Sequence, residues 1–113
     1  MTKLSAIRKS LGLTLLSGED VPERDVGGAY CGDLLSDVMA NARKGDLWIT
    51  IQVHMNIIPV AAMKELAAVV IANGRRPEPA VLAKARQEQV PLLGSAQSSF
   101  EIAGRLHEAG VKR

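Results

Sequence analysis

The stretch that decides the fold runs from Gly45 to Gly74, GDLWITIQVHMNIIPVAAMKELAAVVIANG. Leu47 to Ile51 alternates aliphatic, aromatic and β-branched residues and reads as a strand. Asn56 stands where a helix N-cap belongs, and Pro59 falls in the first turn of the helix expected over about 57–66. Ala68 to Ala72 is a continuous apolar run, the pattern of a strand covered on both faces. Asn73-Gly74 ends it with residues that tolerate positive φ. Strand, helix and strand in 30 residues form one parallel crossover unit.

The same alternation extends to both sides. Upstream, Val26 to Tyr30 reads as a strand containing Gly27-Gly28. Asp33 is a candidate N-cap for a helix whose inner stripe is Leu34, Leu35, Val38, Met39 and Ala42, with Gly45 as its C-terminal glycine. Leu4, Ile7 and Leu11 predict an amphipathic helix over about 3–10 ended by Gly12, followed by a short strand, Leu13–Leu16. The polar segment Ser17–Arg24 reads as a loop. Downstream, Pro77 and Pro79 open a helix over about 79–88 with Val81, Leu82 and Ala85 inward. Val90 to Leu93 is a strand whose Pro91 places it at an edge or at its first residues. Ser98 and Glu101 form a capping box for a last helix over about 99–109, ended by Gly110. The expected architecture is therefore α/β, Rossmann-like: a mostly parallel sheet with helices on both faces, one domain over 1–113, regular over about 26–110.

Composition narrows the function classes. The chain has 113 residues, 47% hydrophobic, but only 3% aromatic, which are Tyr30, Trp48 and Phe100. So few rings exclude an aromatic stacking platform, and a nucleic-acid partner is not expected. The net charge of +2 is weak, and its distribution is uneven. Residues 1–73 carry 7 Lys/Arg against 8 Asp/Glu, while residues 74–113 carry 7 against 4. Cys31, the only cysteine, excludes an internal disulfide or a cysteine-based metal site and is expected to be buried or half-buried. One thiol and no apolar secretion segment suit a reducing cytoplasm. Apolar runs such as Ile57–Met63 fall far short of the roughly 20 residues that span a bilayer, so no membrane role is expected.

Polar chemistry concentrates after the strands. Gln52-Val53-His54-Met55-Asn56 follows one, Asn73-Gly74-Arg75-Arg76-Pro77 another, Cys31-Gly32-Asp33 with Ser36 a third, and Gly94-Ser95 the last. In open α/β sheets these loops share one edge, where ligands bind and helix N-termini present free N–H groups. A phosphate or carboxylate is the natural guest. Asp33, Ser36, His54, Asn56, Asn73, Gly74 and Arg75 are the candidate ligand-binding residues. Each also has a plain structural reading: caps for Asp33 and Asn56, a turn for Asn73-Gly74, a solvated cation for Arg75 or Arg76. His54 and His107 are the only histidines and lie in separate elements, so no metal site is expected. The phosphate-loop, dinucleotide-fingerprint, HExxH, GxSxG and CxxC patterns are missing, which disfavours a self-sufficient kinase, protease or dehydrogenase. An enzyme would need His54 as base with Asp33 as its orienting carboxylate, and this reading ranks last.

Gly32–Met39, Trp48–Thr50 with His54–Asn56, Asn73–Pro77 and Ser99–Leu106 together resemble a stand-alone DRTGG domain over about residues 1–110. The resemblance is also to the N-terminal, non-kinase domain of HPr kinase and to domains beside CBS domains. The naming motif is altered: Val53-His54 stands for Asp-Arg, and Ala72-Asn73-Gly74 for Thr-Gly-Gly. The resemblance implies a Rossmann-like fold, an accessory regulatory role and a tendency to form a homodimer, and it implies no known reaction. The leading expectation is a non-catalytic module binding a small anionic ligand, with an adenine nucleotide as one candidate and no cofactor otherwise. The alternative is a homodimerising or partner-docking module without a ligand, its contacts made by the aliphatic helices and Trp48.

Overall fold

The computed structural model describes residues 2–17 and 21–112. Its elements are β1 (Thr2–Lys3), α1 (Leu4–Leu11), β2 (Thr14–Leu15), β3 (Asp25–Val26), β4 (Gly28–Cys31), α2 (Leu35–Asn41), β5 (Asp46–Thr50), α3 (Ile57–Met63), β6 (Ala68–Ile71), α4 (Pro79–Gln87), β7 (Leu92–Gly94) and α5 (Ser99–Glu108). The main sheet has the order β2-β7-β6-β5-β4. Strands β4 to β7 are parallel, and β2 pairs antiparallel with β7. β1 and β3 form a separate antiparallel ribbon.

Alternation along the inner strands sorts side chains into two cores. Leu47 and Ile49 of β5, with Ala68 and Val70 of β6, face α1 and α5 through Leu4, Ile7, Ile102 and Leu106. Trp48, Val69 and Ile71 face α2, α3 and α4 through Val38, Ile57, Ile58, Val81 and Ala85. The mostly parallel sheet with helices on both faces is therefore present. The radius of gyration, 12.2 Å, matches the roughly 13 Å of one compact domain of this length. The parallel strands step in one direction, and their three connecting helices share one face, so the three crossovers share one hand. The order of β4 to β7 does not reverse, unlike that of a doubly wound sheet with a central switch point.

Several local expectations shift for identifiable reasons. The strand expected over 26–30 splits at Gly27, whose N–H donates to the Gly45 carbonyl at 3.1 Å as the chain changes partner from β1 to β5. Asp33 does not cap α2; the cap position is Leu34, which makes no side-chain cap and is 68% exposed rather than inward. Gly45 does not end α2, which stops at Asn41; it turns the chain into β5 with φ of 85°. Asn56 occupies the cap position of α3 but makes no side-chain cap. Cys31 is exposed, because β4 is the sheet's edge strand. Pro91 lies one residue before β7, which is an interior strand. There the buried Ser17 hydroxyl accepts the Leu92 N–H at 2.9 Å. The capping box holds, with Ser98 accepting the Glu101 N–H. Residues 18–20 of the expected loop lie outside the described residues.

Tyr30 fastens β4 to α2 by donating its hydroxyl hydrogen to Asp37. That bond, then burial and the Asp37 charge, push the Tyr30 phenol up to about 12. It is the only tyrosine, so its ionisation can be followed directly by ultraviolet absorbance. The folded protein is expected to titrate near 12 and Asp37→Asn nearer the ordinary value of 10.0. The native state then holds the proton more tightly than the unfolded chain. This contribution to stability is complete below the unfolded value and is lost as pH rises through the folded one.

Candidate functional site

Parallel pairing of β4 to β7 brings the four loops after these strands to one edge of the sheet. A cleft of about 570 Å³ opens there between the loops after β5 and β6. Its size falls within the roughly 300–1,000 Å³ typical of small-molecule sites. Its polar wall comprises Asp33, Gln52, His54, Arg75, Arg76 and Glu78; Ile51, Val53, Met55, Ala80 and Val81 supply apolar lining.

Asp33, Gln52 and Arg75 are positioned by long-range contacts and His54 by a local one. Asp33 Oδ1 accepts the Thr50 hydroxyl at 2.7 Å and the Ile51 N–H at 2.9 Å, tying the loop after β4 to the end of β5. Gln52 returns the link by donating Nε2 to the Asp33 carbonyl. Beneath them the Trp48 indole N–H donates to the Gly32 carbonyl at 2.8 Å. Arg75 donates Nη1 to the Ile51 carbonyl at 2.9 Å and so bridges the loops after β5 and β6. The Asn56 N–H donates to His54 Nδ1 at 3.1 Å, so neutral His54 carries its hydrogen on Nε2 as a donor.

Of the seven residues expected at the site, Asp33, His54 and Arg75 line the cleft, whereas Ser36, Asn56, Asn73 and Gly74 lie outside its lining. Asn73 and Gly74 adopt φ of 61° and 66°. Their N–H groups donate to the Gln97 and Ser95 carbonyls, which fixes the turn against the loop after β7. Sequence reasoning placed Gln52 and Arg76 in the strand-end loops without naming them as candidates, and passed over Glu78. The signal for Glu78 is its place between Pro77 and Pro79, where the buried Pro77 anchors the turn. Helices α2 and α3 have only seven residues each, so the positive charge at this edge comes mainly from the two arginines.

His54 and Asp33 are each engaged elsewhere, His54 with Asn56 and Asp33 with Thr50 and Ile51, rather than with one another. Partial burial, followed by the Asp33 charge, pushes the Cys31 thiol up, against the opposing effect of a Ser99 hydrogen bond. This is the direction opposite to that of an activated thiolate. Among the described residues no group of three or more His, Cys, Asp or Glu is placed to hold a metal ion. No helix among them is long and apolar enough to cross a membrane. A second cleft, at the opposite end of the sheet, contains Arg24. That guanidinium is spent on the Leu66, Ala67 and Gln89 carbonyls, and so it serves as a structural clamp.

Comparison with known proteins agrees with this architecture. No curated protein matches the chain significantly. Among solved structures, it is similar to the CBS and DRTGG domains of the regulatory region of Clostridium perfringens pyrophosphatase, determined in complex with an activator, diadenosine tetraphosphate. The TM-score is 0.68 at 11% identity, covering 91% of this chain and 45% of that one. The chain thus spans less than half the length of that neighbour, and the likeness is one of fold. The DRTGG domain model matches residues 6–109, and the chain belongs to the DRTGG domain family.

Proposed function

We propose that this domain is a non-catalytic regulatory module that holds a small anionic ligand, a nucleotide foremost, in the cleft at the ends of β5 and β6. The observation that carries this reading is the pair Arg75 and Arg76 on one wall of that cleft, with neither in an ion pair among the described residues. Guanidinium groups match phosphate oxygens in geometry and charge. His54 Nε2–H adds a neutral donor. The reading is supported by the fold's occurrence in a pyrophosphatase regulatory region crystallised with a nucleotide activator. It assigns the domain to the cytoplasm, where nucleotides serve as signals. Calorimetric titration with a panel of nucleotides and phosphorylated metabolites tests it. Saturable binding by at least one nucleotide is expected, and no saturable binding across the panel contradicts the reading.

A docking role is favoured by a separate observation. The outward residues of α3 are apolar: Pro59 and Ala62 are exposed, and Met63 is 70% exposed. A helix apolar all round normally meets a partner. Trp48, in contrast, is wholly buried and supplies no such surface. A homodimer through α3 is the form proposed. Light scattering at tens of micromolar should give twice the chain mass, and Met63→Glu should halve it. A monomeric wild type removes the homodimer.

A further inference from the structure

The cleft is lined by two acidic residues, Asp33 and Glu78, as well as by two arginines, which a purely anionic guest leaves unexplained. Among the described residues no ion pair joins any of Asp33, Arg75, Arg76 and Glu78. The Glu78 side chain makes no cap bond, although its carbonyl starts α4 by accepting the Val81 and Leu82 N–H groups. Asp33 uses Oδ1 for Thr50 and Ile51, leaving Oδ2 for a donor from outside the chain. Inorganic phosphate in this cleft would meet both carboxylates with nothing to offer them, and each would repel it. A guest that satisfies all four groups carries an anion at one end and neutral hydroxyl donors beside it.

We infer, building on the anion-binding reading above, that the cleft takes a ribonucleoside monophosphate. Its phosphate lies on Arg75 and Arg76, and its ribose diol donates to the Glu78 carboxylate and Asp33 Oδ2. Carboxylate recognition of a ribose hydroxyl is a recurrent solution in nucleotide sites. The base rests on the apolar lining. A monophosphate, with a charge of about −1.5 to −2 near neutral pH, is balanced by the two guanidiniums. Further phosphates would bring negative charge towards Glu78 and Asp33. No Phe, Tyr or Trp lines the cleft, so the base rests mainly on the aliphatic lining and discrimination among bases is weak.

The test is calorimetry on the full chain with the four ribonucleoside monophosphates, their 2′-deoxy counterparts and inorganic phosphate. A charge-assisted hydrogen bond predicts that the ribose form binds about tenfold tighter than its deoxy partner. In Glu78→Ala that preference should collapse while the deoxy form binds at least as well, because a repelling carboxylate has gone. Equal affinity of ribose and deoxy forms for the wild type overturns the ribose assignment and leaves the anion site standing. A preference that survives in both Glu78→Ala and Asp33→Asn also overturns it. If none of these probes binds, the monophosphate assignment is overturned; the anion reading falls with it only if the wider panel of nucleotides and phosphorylated metabolites also fails to bind.

Discussion

Trp48→Ala is expected to lower the unfolding free energy by about 3–5 kcal/mol, the range for truncating a large buried ring. The side chain is 0% exposed and sits in the core between the sheet and α2, α3 and α4. Truncation empties that space and strands the Gly32 carbonyl, which accepts the indole N–H at 2.8 Å. Total stability is about 5–15 kcal/mol for a domain of this kind, so the loss is a large fraction of it. Trp48→Phe separates the two losses. It keeps most of the ring and leaves the carbonyl unpaired, a cost of about 1–3 kcal/mol. Urea unfolding followed by far-ultraviolet circular dichroism measures both, since the variants lose the only tryptophan. A Trp48→Ala protein within 1 kcal/mol of wild type would contradict the packing described.

The second large effect is on binding. Replacing both Arg75 and Arg76 with alanine should weaken nucleotide binding about 100-fold or more, since each charge-assisted bond contributes about 1.5–3 kcal/mol. Arg76, exposed and without a partner among the described residues, should cost about tenfold alone and change stability by less than about 0.5 kcal/mol. Arg75 also loses its bond to the Ile51 carbonyl, so its single variant should show a small loss of stability as well as of affinity. Calorimetry read beside urea unfolding separates the two. An unchanged dissociation constant in the double variant would remove both arginines from the site.

The contrast between β5 or β6 and the loops shows what was readable from the residues. The run at Ala68–Ala72 announces a strand because burial on both faces leaves no polar position, and in Leu47–Ile51 the one polar residue, Thr50, is buried with its hydroxyl donated to Asp33. The Ser98–Glu101 box and the glycine after α1 are local devices and were legible for that reason. Asp33 was misread because capping is a local explanation, whereas its partners, Thr50 and Ile51, lie 17 and 18 residues away. Exposure of Cys31 depends on β4 being the edge strand, which no single segment encodes. The break at Gly27 depends on Gly45, brought beside it only by strand pairing. That Arg75, His54 and Asp33 line one cleft was legible because strand-end loops converge in any parallel sheet. Glu78 was passed over because its approach to that edge follows from the turn through buried Pro77.

The most direct test is amide chemical-shift mapping during titration with the ribonucleoside monophosphate that binds best. The site described here predicts saturable shifts concentrated at Asp33, in the loop from Ile51 to Met55, and from Arg75 to Val81. Shifts clustered instead at the opposite end of the sheet, around Arg24, Lys44 and Gln89, would contradict it, as would a spectrum unchanged at saturating nucleotide.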